Sequence, residues 1–176
     1  MTITVKKLVI SAMFIAIGIV LPFLTGQIPE IGQMLLPMHI PVMLCGFICG
    51  WPYGLAVGFI TPVLRSFMFG QPILFPMAIA MAFELATYGA SCGLLYKIFP
   101  NKKWAFYPEL VIAMILGRVT YVLAMTVISG VSSVEFGALA WIASALPEAV
   151  PGLILQIVII PVLMMVLQES KLTPVK

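Results

Sequence analysis

The sequence predicts an all-α integral membrane protein with six transmembrane helices and both termini in the cytoplasm. Three observations carry this. Of the 176 residues, 62% are hydrophobic and only 9% charged, against roughly 25% charged in soluble domains. The apolar runs, cut at turn residues and charges, fall into six segments. All seven lysines lie at breaks that six spans would place on one side. At about 20 residues per crossing, six crossings consume nearly the whole chain. Residues 1–176 therefore read as a single transmembrane domain, with no room for an attached nucleotide-binding domain.

The first segment, 6–24, begins at Lys6 and Lys7 and has Pro22 near its end. A cleaved secretory signal is the rival reading, but the bulky or turn-rich residues 23–30 offer no small-residue cleavage site. The second, 37–50, is short, and Pro37 and Pro41 restrict its first turns, as in a helix that starts beneath the interface. The third, 52–69, is interrupted by Gly58 and Pro62 and ends at the turn Gly70-Gln71-Pro72. The fourth, fifth and sixth cover 73–99, 105–129 and 147–167. Loops 25–36 and 130–146 carry no Lys or Arg, although the latter holds an Ala-rich, potentially helical stretch with Trp141. Lys6, Lys7, Lys97, Lys102, Lys103, Lys171 and Lys176 mark the opposite, cytoplasmic side. Trp51, Trp104 and Tyr107 fall where interfacial aromatic anchors belong.

Ionisable groups within such helices cost roughly 2.5–3.5 kcal/mol at mid-depth and need a partner or a purpose. Glu84 and Arg118 each lie about a dozen residues from a helix end, so at about 1.5 Å per residue they reach similar depth on adjacent helices. They suit a buried pair, which either fixes helix register or holds a substrate. Arg65 and Glu148 lie nearer the external ends of their helices, where they face a common cavity or snorkel to water. Glu148, Gly152 and Gln156 recur at i, i+4 and i+8 and share one face. Tyr88 follows Glu84 by four residues and Tyr121 follows Arg118 by three. Together they form a donor and acceptor set suited to orienting a small polar molecule, or ordinary core packing. His39 sits at the external mouth of the second segment, as a structural histidine or a donor at the rim of a pocket.

The same inventory excludes several functions. There is no Asp, His39 is the only histidine, and no ligand spacing points to a metal site or to a nucleophile with its base. P-loop and dinucleotide signatures are missing, so any energy from ATP comes from another chain. No selectivity-filter loop supports a channel. A net charge of +3 in so apolar a chain reads as topology, with no nucleic-acid partner. Cys45 and Cys49, at i, i+4, read as small packing hydrophobes. Binding and movement of a small solute remain, with a free-standing carrier that couples protons through Glu84 and Arg118 as the alternative to a multi-chain transporter.

Ala12 and Ala16, in Ser11-Ala12-Met13-Phe14-Ile15-Ala16, form a small-xxx-small stripe near the cytoplasmic end of the first segment, open to close packing within or between chains. Together with Leu36-Pro37-Met38-His39-Ile40-Pro41-Val42, Gly46 and Gly50-Trp51, this stripe resembles the substrate-binding S components of energy-coupling factor (ECF) vitamin transporters. The resemblance covers nearly the whole chain. It implies a six-helix S-component bundle in a prokaryotic cell membrane, neither an enzyme nor a cofactor protein, working with a transmembrane T component and two ABC-type ATPases. Ala12 and Ala16 match the family's Ala-xxx-Ala contact with the T component. The last three helices would build an external pocket, implicating Glu84, Tyr88, Arg118, Tyr121, Glu148 and Gln156. The loop after the first helix, with Gln27, Glu30 and Gln33, would cap it. The implied mechanism is toppling of the loaded subunit in the bilayer. An anionic vitamin such as pantothenate would favour a free Arg65 or Arg118. A pyridoxine or hydroxymethylpyrimidine type would favour Glu84 or Glu148, and the sequence does not separate the two.

Overall fold

The computed structural model of the protein describes residues 5–25, 34–99, 106–131 and 137–169, without the side chains at 25, 138–146, 148, 168 and 169. Among the described residues every regular element is helical. Helix α1 (Val5–Val20) tightens into a 3₁₀ turn (Leu21–Thr25). Next come α2 (His39–Cys49) and α3 (Trp51–Phe69), separated by Gly50. A π-type turn (Leu74–Ala78) leads into α4 (Ile79–Ile98), followed by α5 (Phe106–Val131) and α6 (Ala138–Glu169). The expected lid residues Gln27, Glu30 and Gln33 lie outside the described residues.

Four stretches are long and apolar enough to cross a membrane: Val5–Leu24, Leu74–Ile98, Phe106–Val131 and Ala149–Leu167. The expectation of six such spans is met at the level of six helices but not of six equivalent crossings. Helix α2 has 11 residues, about 16 Å of rise against a hydrocarbon core of about 30 Å. Helix α3 carries Arg65, Thr61 and Ser66 on its buried side.

Helix α6 also begins earlier than the sequence suggests, at Ala138 and not Pro147, with Pro147, Pro151 and Pro161 inside it. Ala is the strongest helix former. A proline removes one backbone donor without ending a helix whose freed carbonyl finds another partner in a bundle.

The bundle is organised around α2 and α4. Helix α2 is apolar on all sides and buried along almost its whole length, as expected of a helix with no solvent or lipid face. It packs against α1, α3, α4 and α6, while α4 packs against α2, α3 and α5. Contact between α2, α3 and α4 is backbone to backbone. A Cβ on Gly54 or Gly89 would collide with the main chain of the opposite glycine, and one on Gly46 with the Gly89 carbonyl. Small residues let helices approach this closely where lipid supplies no hydrophobic drive.

The helix ends sort by charge. Lys7 lies 5.9 Å from the Tyr53 ring centroid at the start of α3. Gly93, one turn before Lys97, packs on the Trp51 backbone. Lys7 and Lys97 therefore occupy one end of the bundle. At the other end Phe23 meets Phe69 edge to face at 4.9 Å.

Candidate functional site

Glu84 sits in the second turn of α4 with its side chain 2% exposed, and three side chains from three helices converge on its Oε1. Arg118 of α5 places Nη1 3.0 Å away. Tyr88, one turn further along α4, donates its hydroxyl at 3.4 Å. His39, the first residue of α2, brings Nε2 to 3.8 Å and meets the Tyr88 ring edge to face at 5.2 Å.

Local sequence explains each position. The i, i+4 spacing stacks Tyr88 over Glu84. Gly117 leaves room for the Tyr88 ring, since a Cβ there would lie 2.7 Å from its Cζ, and so lets the next residue, Arg118, reach across. The Pro37-restricted approach and the short α2 sink His39 to mid-bundle depth. Coulomb attraction at this range offsets desolvation only when geometry and further hydrogen bonds are good, and losing one partner of such a pair costs about 3–5 kcal/mol.

A second polar strand joins this centre through the chain before α2. Leu36 adopts φ +48°, a left-handed conformation that is rare for a non-glycine residue. Its carbonyl accepts from the His39 backbone N–H at 3.1 Å and from Gln156 Nε2 of α6 at 3.5 Å. Gly152, one turn before Gln156, presses on the backbone of Met34 and Leu35. The polar face predicted on the sixth segment thus turns toward this approach at Gly152 and Gln156, while the side chain of Glu148 lies outside the described residues.

The expected residues therefore divide. His39, Glu84, Tyr88 and Arg118 form one cluster, and Gln156 joins it through Leu36. Tyr121 is buried one turn beyond Arg118 against Ala80 and Met125. Arg65 is committed elsewhere: it is 3% exposed, donates from Nη1 to the Ile19 carbonyl at 2.6 Å and lies over the rings of Phe23 and Phe69. In a 3₁₀ turn the Ile19 carbonyl would look to residue 22, and Pro22 has no N–H to give it. Arg65 satisfies that acceptor.

Buried atoms without a hydrogen-bond partner among the described residues include both ring nitrogens of His39 and Oε1 of Gln156. The residues themselves are 1% and 0% exposed. Unsatisfied buried polar atoms cost about 1–3 kcal/mol each and are rare enough to need an explanation.

Sequence reasoning missed Glu109, which is 1% exposed in the first turn of α5. Its signal was the register of Glu109, Ala113, Gly117 and Tyr121 on the buried face of that helix. Also missed were Gly117 and the Leu36 carbonyl. Cys45, Cys49 and Cys92 are free and buried. Cys45 and Cys49 pack toward α1, with Sγ 3.6 Å from Ser11 Oγ and 3.8 Å from the Lys7 carbonyl respectively. Among the described residues no group of His, Cys, Asp and Glu is placed to hold a metal ion.

On the opposite surface of α1, Ala12 and Ala16 are exposed, so the stripe is not used to pack α1 onto its own bundle. Ser11, Gly18 and Ile19 do that instead.

Apolar helices long enough to cross a membrane, wrapped around a paired glutamate and arginine, define an integral membrane protein with a polar centre. Residues 6–164 match the family model described as "ECF transporter, substrate-specific component". The chain belongs to that family of transport subunits. Membership implies partnership with a T component and ATPases and indicates a transport role, not an enzymatic one. No curated protein and no solved structure matches the chain.

Proposed function

We propose that the chain captures a water-soluble vitamin or vitamin precursor at the His39, Glu84, Tyr88, Arg118 and Gln156 centre, with Tyr121 in its wall. The loaded subunit delivers it by toppling against a T component bound to two ATPases. The observation that carries this reading is the convergence of three helices' polar groups on Glu84 inside an otherwise apolar bundle. Ionisable groups at membrane depth are costly and read by default as a functional site.

The orientation follows from the lysines. Lys7 and Lys97 share one end, which the positive-inside rule assigns to the cytoplasm, and the 34–36 approach then lies toward the outside. The exposed Ala12 and Ala16 supply a smooth stripe on α1 for a coupling helix of the T component.

Replacing both alanines, Ala12→Trp with Ala16→Trp, should abolish complex formation and ATP-dependent uptake while the purified subunit still binds its solute. Unchanged uptake by the double variant defeats the proposal. Uptake that persists without any ATPase and collapses with a protonophore would identify a proton-coupled carrier instead.

Neither arginine is uncommitted, since Arg118 faces Glu84 and Arg65 faces Ile19. That weakens the case for pantothenate and favours the pyridoxine or hydroxymethylpyrimidine type.

A further inference from the structure

Resting on the reading of the chain as a solute-binding subunit, we infer that the solute is uncharged where it meets the buried centre. It docks there by hydrogen bonds to His39 and Gln156, leaving the Glu84–Arg118 pair intact. The formal charges of Glu84 and Arg118 cancel at 3.0 Å, so the pair presents no unbalanced cation to an anion. Gln156 Oε1 and the two ring nitrogens of His39 are buried beside this pair without hydrogen-bond partners among the described residues.

Gln156 Oε1 can only accept. The amide orientation is fixed by its neighbour, because swapping the two ends would set oxygen against the Leu36 carbonyl in place of the Nε2 donor. His39 offers one N–H and one bare nitrogen when its ring is neutral, and neither is matched among the described residues. Both residues are tied to the Leu36 carbonyl, His39 through its backbone N–H and Gln156 through Nε2, which brings the two into one neighbourhood of the bundle.

The complement is a compact group with an N–H or O–H donor beside an acceptor. A carboxamide has this pattern, and so does a hydroxyl- or hydroxymethyl-bearing nitrogen heterocycle. A carboxylate is the wrong partner: it carries only acceptors, repels Gln156 Oε1, and would have to share Arg118 with Glu84, which leaves its own charge unbalanced.

The test is thermal unfolding of the purified full chain in nanodiscs with three matched pairs, each a neutral compound and its carboxylate counterpart. These are pyridoxine and 4-pyridoxate, nicotinamide and nicotinate, and pantothenol and pantothenate. At least one neutral member should raise the midpoint, and its carboxylate should need at least tenfold more for the same rise. Gln156→Met should erase that response while leaving the ligand-free midpoint equal to or above wild type, because it removes an orphaned acceptor without opening a cavity.

The inference is overturned by a carboxylate that stabilises as well as its neutral partner, as an imidazolium at His39 would favour. It is equally overturned by silence from all three neutral compounds, or by a Gln156→Met protein less stable than wild type without ligand. Any of these leaves the transport reading standing if the Ala12/Ala16 double tryptophan variant still loses uptake. Loss of the transport reading shows instead as uptake indifferent to that variant.

Discussion

At the residue scale the molecule turns on one carboxylate oxygen. Glu84 Oε1 is approached by a guanidinium, a phenol and an imidazole, and the guanidinium supplies the only formal positive charge among the three when His39 is neutral. Arg118→Met alone should therefore lower the unfolding free energy by about 3–5 kcal/mol, because Glu84 stays buried without its counter-charge. Adding Glu84→Gln should restore much of that loss. Denaturation of both singles and the double would show it as a coupling of the two sites.

Arg65→Met should behave differently, costing about 1–3 kcal/mol for the orphaned Ile19 carbonyl with no change in ligand affinity. A binding isotherm on that variant separates anchoring from recognition. The Glu84–Arg118 pair was legible because depth along a helix is simple arithmetic and the two segments are consecutive. The arrival of His39 beside Glu84 was not, because a short, sunken second helix does not announce which neighbour its first residue faces. The turn of Arg65 toward the Ile19 carbonyl was not legible either, because nothing in its own segment announces that Pro22, more than 40 residues away, leaves a carbonyl for it to satisfy.

Helices are the next scale, and here the decisive residues have no side chains. Gly54 and Gly89 meet so closely that a methyl group on either runs into backbone, which cannot move aside as a side-chain tip can. Gly89→Ala should force α3 and α4 apart and cause failure of the purified protein to remain monodisperse after extraction. Gly130→Ala, where an added Cβ meets nothing within 4 Å, should be silent. Gly117→Ala occupies the middle ground: the atom it meets belongs to the Tyr88 ring, so it should weaken solute binding more than stability. Size-exclusion profiles and ligand-induced melting shifts check the three in parallel.

Helix existence was legible from the apolar runs. The start of α6 was not, because prolines in a bundle bend helices that they would end in water. The packing partner of each glycine was also hidden, since spacing along one chain says which residues share a face but not which face is opposite.

For the whole molecule, the lysine distribution in the sequence predicts a vectorial arrangement that can be probed from either side of the membrane. Single cysteines at Lys6 or Lys97, in a background lacking the three native cysteines, should react with a membrane-impermeant maleimide only after the cytoplasmic face is opened. A cysteine at Gln71 should react in intact cells. Labelling of positions 97 and 71 from the same side would refute the orientation. An orientation can be predicted from sequence without knowing any contact, because charge bias is a sum over loops. The number of full crossings was less legible, since α2 and α3 are true helices whose length or polarity departs from an ordinary span.

The tie between Arg65 and the Ile19 carbonyl has a mechanical corollary. It rivets the outer end of α1 to α3, and further along the same two helices Gly18 nestles against Thr61. Under the proposed toppling, the element that bears the exposed alanines turns with the rest of the bundle as a rotor without a clutch, so welding α1 to α3 through cysteines at 18 and 61 should leave delivery undiminished.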